Sequence, residues 1–173
     1  IVVQPVPSPD DPIFGLGSNP GHSGRGDLSA RHDEYLYGEM REGAFLDTSF
    51  ILALEDADDQ HHREAAGYWR TYHEQPQPLV STAYVFDETL TLIRKRLAMR
   101  AMAVARRLHT SPLTTLVPVD LPDFEAGLAW FERYHDKDFS FTDCVVAVMK
   151  RLELSTALTF DQHFVQAGFE RRP

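Results

Sequence analysis

From Ala44 onward the apolar residues alternate between short runs and helical stripes. Ala44 to Leu46, Leu79-Val80, Leu116 to Val119 and Ala157 to Thr159 are brief apolar runs of strand length. Between them the spacing lengthens. Phe50 to Leu54 continues apolar into a helix, and 61–73 carries Ala65, Tyr68, Trp69 and Tyr72 on one side before Pro76 and Pro78 break it. Residues 84–97 place Phe86, Leu90, Ile93 and Leu97 on one stripe, with Glu88 on the opposite side. A further helix is predicted over 99–109, and another from Pro122 to about Tyr134. Residues 142–152 are apolar on nearly every side, which predicts a buried helix. Strands alternating with helices predict an α/β fold with a parallel sheet.

Residues 1–39 follow neither period. They hold Pro5, Pro7, Pro9, Pro12 and Pro20, and their apolar residues are isolated anchors such as Ile13-Phe14 and Tyr35 to Tyr37. Such a segment cannot bury enough surface to offset its ordering entropy. It is expected to lie on a folded surface as a peptide ligand does. The chain is therefore read as an extended segment, 1–39, and a folded domain, 40–173.

Four acidic residues fall where the predicted strands end or helices begin: Asp47, Glu88, Asp143 and Asp161. In an open parallel sheet the carboxyl ends of the strands share one edge, and ligands bind there. Each acid has a plainer reading: helix cap for Asp47 and Asp143, solvated helix residue for Glu88, turn residue for Asp161. All four plain readings holding together at one edge is the less economical account. If the side chains converge, the cluster requires a cation, and hard oxygen ligands suit Mg2+ or Mn2+. The simplest use is metal-assisted hydrolysis of a phosphodiester, with water attacking in line to leave a 5′ phosphate and no protein nucleophile.

Charge qualifies this picture. The 173 residues carry a formal net charge of −9, which opposes non-specific grip on a phosphate backbone. Yet no acid occurs from Thr89 to Val119, where Arg94, Lys95, Arg96, Arg100, Arg106 and Arg107 form either a solvated face or a phosphate-contacting wall. Together with Thr48 and Ser49, Arg94 and Arg96 are candidate substrate contacts. No run of 18 apolar residues exists, so no membrane span is expected. The single cysteine, Cys144, excludes an internal disulfide and fits the cytoplasm; it reads as a small buried hydrophobe.

Ala44-Phe-Leu-Asp-Thr-Ser49, the Glu88 helix, Phe139-Ser-Phe-Thr-Asp-Cys144 and Leu158-Thr-Phe-Asp-Gln-His-Phe164 together resemble the four acidic motifs of PIN-domain nucleases. The short single-domain members of this kind are VapC-type toxins of toxin–antitoxin pairs. The resemblance spans about residues 40 to 170. It implies a three-layer α/β/α fold around a central parallel sheet of four or five strands. It also implies an endoribonuclease dependent on Mg2+ or Mn2+, acting on tRNA or ribosomal RNA, and paired as a homodimer. Asp138 falls where members often carry a further acid. Residues 11–15, 21–29 and 32–38 resemble the carboxy-terminal end of the cognate antitoxins, and Met40 resembles a toxin's natural start. A composite chain is expected, in which Ile13, Phe14, Tyr35 and Tyr37 dock in apolar grooves and Arg25 or Arg31 pairs with the acidic site. A native surface extension is the alternative.

The eight histidines lack zinc-site spacing; His61 and His62 read as surface residues and His163 as ordering the fourth motif. Trp69 and Trp130 read as core. Two rival functions remain at this point: a PIN-type nuclease in RNA maturation or decay, and a non-catalytic binding module whose acids are caps.

Overall fold

The computed structural model describes residues 43–133 and 145–173. Five strands form one parallel sheet: β1 Ala44–Leu46, β2 Leu79–Thr82, β3 Thr114–Val117, β4 Thr156–Leu158 and β5 Glu170–Arg172, in the order β3-β2-β1-β4-β5. The register sets Phe45 beside Val80 and Ala157, and Leu46 beside Leu158. Alternation along the strands then sorts side chains to two faces. Phe45, Val80, Val117 and Ala157 enter one core with Val145, Val148, Met149 and Phe164; Ala44, Leu46, Leu79 and Leu158 enter the other with Phe50, Ile51, Ile93 and Val104. Both faces are covered, giving three layers, as expected.

The helices are α1 Thr48–Glu55, α2 His62–Glu74, α3 Ala83–Arg96, α4 Ala101–Thr110, α5 Leu121–Arg133, α6 Val145–Arg151 and α7 His163–Gln166. Two of them start on side-chain caps at strand ends. Asp47 accepts from the Ser49 amide at the head of α1, and Thr82 accepts from the Val85 amide at the head of α3. At the head of α5, the Asp120 carboxylate accepts from the Asp123 amide and the Asp123 carboxylate from the Asp120 amide. Asp123 is 4% exposed and receives two hydrogen bonds from Arg151, which ties α5 to α6.

Three expectations are corrected. The buried stripe of α3 is Val85, Thr89 and Ile93, with Phe86 and Leu90 only half-buried. A polar residue, Thr89, sits in the middle of it, so hydrophobicity pointed to the wrong side. Glu88 therefore borders the packed face instead of opposing it. Second, the positions of β5 and α7 were not read from the sequence, although a fifth strand was allowed for; β5 is a charged Glu-Arg-Arg edge strand with no apolar run to betray it. Third, His61 and His62 are half-buried. The His61 ring stacks on Phe160 at 4.2 Å and 12°, and His62 Nδ1 lies 2.7 Å from the Ala53 carbonyl. Trp69 stacks on Tyr72 at 5.1 Å and Trp130 packs against the first core, as their spacing suggested. Among the described residues no helix is long and apolar enough to cross a membrane. The expected structures of residues 1–39, and those of Asp138, Asp143 and Cys144, lie outside the described residues.

Candidate active site

Reading along the sheet, β2 and β3 are added on one side of β1 and β4 and β5 on the other, so the strand order reverses between β1 and β4. In open α/β sheets the crevice at the carboxyl end of that reversal is where ligands bind. Asp47 follows β1 and Asp161 follows β4, one on each side of it. Glu88 lies in the second turn of α3, which starts where β2 ends. Asp47, Glu88 and Asp161 thus belong to three adjacent strands at one edge.

Hydroxyl groups link the three acids. Asp47 is 8% exposed. Its Oδ2 accepts from the Ser49 amide (3.1 Å), Ser49 Oγ (2.6 Å) and Thr159 Oγ1 (2.8 Å). The Thr48 amide also hydrogen-bonds the Asp47 carboxylate. The two hydroxyls in turn accept backbone amides: Phe160 N–H donates to Ser49 Oγ and Asp161 N–H to Thr159 Oγ1, both at 2.9 Å. The Asp161 carboxylate accepts from the His163 amide at 2.8 Å, and His163 Nδ1 lies 3.1 Å from the same oxygen. On the other side, Thr48 Oγ1 donates to Glu88 Oε2 at 2.8 Å.

Burial pushes the Asp47 carboxyl above its ordinary range, and the bonds from Ser49 and Thr159 offset only part of that rise. A buried carboxylate held by hydroxyls and amides, with no cationic side chain against it among the described residues, fits a hard cation, whose charge would remove the desolvation cost. Among the described residues no group of three or more His, Cys, Asp or Glu is close enough to hold a metal by itself. The described acids form a linked row, and Asp143 lies outside the described residues.

The candidate substrate contacts separate. Thr48 is 5% exposed and its hydroxyl is engaged by Glu88; the Ser49 hydroxyl is engaged by Asp47. Their observed role is to hold carboxylates, not to present free hydroxyls to phosphate. Arg96 is eight residues beyond Glu88, about 12 Å along the helix axis, and its guanidinium lies 3.9 Å from Asp56 and 3.6 Å from Asp59. Arg94 is exposed on the same turn. Reasoning from sequence missed Thr159 and Thr89. Thr159 had a signal, since it lies two residues before Asp161 as Asp47 lies two before Ser49. Thr89 had none, because a threonine within a helix is ordinarily unremarked.

The PIN domain family matches residues 44–170. Among curated proteins, the 23S rRNA-specific endonuclease VapC20 of Mycobacterium tuberculosis is 33% identical over 131 residues, 75% of this chain and 98% of its own length. The crystal structure of M. tuberculosis VapC20, a sarcin-ricin loop cleaving toxin, superposes with a TM-score of 0.68 at 31% identity, over 76% of this chain and all of that one. FitAcB from Neisseria gonorrhoeae, at 18% identity and a TM-score of 0.54 over 75% of this chain and 96% of its own, shares the fold alone. The chain belongs to the PIN-domain family and, within it, to the VapC-type toxins, which are endoribonucleases.

Proposed function

We propose that this protein cleaves ribosomal RNA with a divalent cation, Mg2+ or Mn2+, held by Asp47, Asp161 and Glu88 together with Asp143. The observation that carries the reading is the Asp47 carboxylate: buried, anchored on Oδ2 by three donors, and facing no cationic side chain among the described residues. A bound divalent ion supplies a lowered pKa for water and positive charge opposite the phosphoryl oxygens. The chain's own groups do the positioning. Ser49 and Thr159 fix the Asp47 oxygen, Thr48 fixes Glu88, and the His163 amide fixes Asp161. The 33% identical relative is named for 23S rRNA and the similar crystal structure for its sarcin-ricin loop, which supports a ribosomal hairpin over tRNA as substrate.

Residues 1–39 act in this reading as an antitoxin-like inhibitory segment, with Ile13, Phe14, Tyr35 and Tyr37 as apolar anchors and Arg25 or Arg31 pairing with the carboxylates. The toxin works in the cytoplasm as a homodimer. The test is an RNA cleavage assay on a sarcin-ricin hairpin and on tRNA, with and without Mn2+, using the intact chain and residues 40–173. Mn2+-dependent hairpin cleavage, faster for 40–173 and abolished in Asp47→Asn, is expected. Equal rates for the two lengths sink the inhibitory role; preferential tRNA cleavage sinks the ribosomal one.

A further inference from the structure

Thr89 is a polar side chain at 0% exposure in the centre of the packed face of α3. A threonine within a helix commonly returns its hydroxyl to the carbonyl four residues back, here Val85. Thr89 does not. Its Oγ1 donates across to Thr48 Oγ1 on α1, at 3.1 Å. Thr48 Oγ1 has two acceptors in reach, the Val85 carbonyl at 3.4 Å and Glu88 Oε2 at 2.8 Å. A hydroxyl has one proton to give and two lone pairs. The shorter, charge-assisted bond to the carboxylate takes the proton. The Thr89 bond occupies a lone pair and holds the Thr48 oxygen in place to give it. Glu88 and Thr89 are successive residues that project about 100° apart around a helix of 3.6 residues per turn. Thr48, next in the chain to Asp47, bridges both.

We infer that Thr89 is a positioning residue for the divalent-cation site: through the Thr48 hydroxyl it sets where the Glu88 carboxylate sits relative to Asp47. The inference rests on the reading of Asp47 and Glu88 as cation-holding carboxylates. It follows from two features. The Thr89–Thr48 step is buried, so water does not replace the missing Thr89 donor, and the relay spans the two helices that carry the two acids. Groups behind metal-holding carboxylates commonly govern affinity by tenfold or more when removed.

Mn2+ binding to residues 40–173, the length that contains the whole PIN-domain match, followed by calorimetry and by the free-Mn2+ EPR signal, tests this without an activity assay. Thr89→Val preserves volume and removes the donor. Its Mn2+ affinity should fall about tenfold, its metal-free melting temperature should stay within a few degrees of wild type, and Thr89→Ser should restore binding. Wild-type affinity in Thr89→Val, or a loss that serine does not restore, overturns the inference. If the valine chain does not fold, Thr89→Ala is read the same way; failure of both to fold assigns Thr89 to the core and also overturns it. A wild-type chain that binds no Mn2+, or binding indifferent to Glu88→Gln, sinks the underlying reading instead, so the two failures are distinct.

Discussion

Two carboxylates near opposite ends of α1 are held in opposite ways. Glu55, at its last residue, is flanked by Arg100 at 2.6 Å and Arg107 at 3.1 Å. Asp47, at its head, is held by Ser49 and Thr159 and by no cation of the described chain. Arginines neutralise a carboxylate, whereas hydroxyls and amides fix its position and leave its charge in place. Glu55 is thus finished as a structural brace. Among the described residues nothing compensates the Asp47 charge, which is costly in a buried place and useful only if a cation arrives. Asp123, clamped by Arg151, belongs with Glu55; Thr48 donates to Glu88 and the His163 amide to Asp161, as hydroxyls and amides do to Asp47.

The largest break in this contrast is Asp47→Asn. Metal-assisted charge stabilisation is worth several kcal/mol, so at about 1.4 kcal/mol per tenfold cleavage should fall on the order of a thousandfold. The same change should stabilise the metal-free chain. The Asp47 carboxyl lies above its ordinary 3.8 because burial penalises the charged form. The folded chain therefore binds that proton more tightly than the unfolded one, and stability is lost as pH rises from about 3.8 through the raised value. The asparagine chain has no such loss. In residues 40–173, without the proposed inhibitory segment, its melting temperature in EDTA should exceed wild type near pH 7, with the gap closing below pH 4. A melting temperature below wild type at pH 7 contradicts the uncompensated charge.

Asp123→Ala comes next. It removes the carboxylate that accepts two hydrogen bonds from Arg151 in a partly buried place, and breaking such a pair costs about 3–5 kcal/mol. Urea unfolding should show it, while Mn2+ affinity per folded molecule stays near wild type. Thr159→Val sharpens the contrast from the other side. Removing one of three donors on Asp47 Oδ2 should weaken Mn2+ binding about tenfold and leave urea unfolding within about 1.5 kcal/mol, as read by calorimetry beside the denaturation curve. The smallest effect is expected of Arg100→Gln. Arg100 is 53% exposed, and an exposed pair contributes about 0–1 kcal/mol. A large loss of Mn2+ binding in that variant would show that the two kinds of carboxylate are not separate.

The strands, the helices and three of the acids at the sheet edge were readable because each depends on local pattern. Leu46 ends an apolar run, so Asp47 had to stand at a strand end; Asp161 likewise closes the run at Leu158. Glu88 was recognised as an acid but assigned to the wrong side of α3. Its true placement follows from Thr89, whose burial is repaid by a bond to a residue 41 positions away. Ser49 and Thr48 were read as phosphate contacts, because a free hydroxyl and an engaged one have the same one-letter code. The basic run after Glu88 was visible as charge. That Arg96, Arg100 and Arg107 turn back onto Asp56, Asp59 and Glu55 was not.

Residue order alone decided the family, the alternation of strand and helix, and which side chains carry negative charge to the carboxyl edge, because periodicity and chain connectivity act within a few residues. The packed molecule decided the rest. It placed β4 against β1, so that the strand order reverses beside Asp47, and it matched each carboxylate to a hydroxyl or to an arginine. Hydrogen bonds and ion pairs between distant segments depend on distance and solvent exclusion, and neither exists until the layers close.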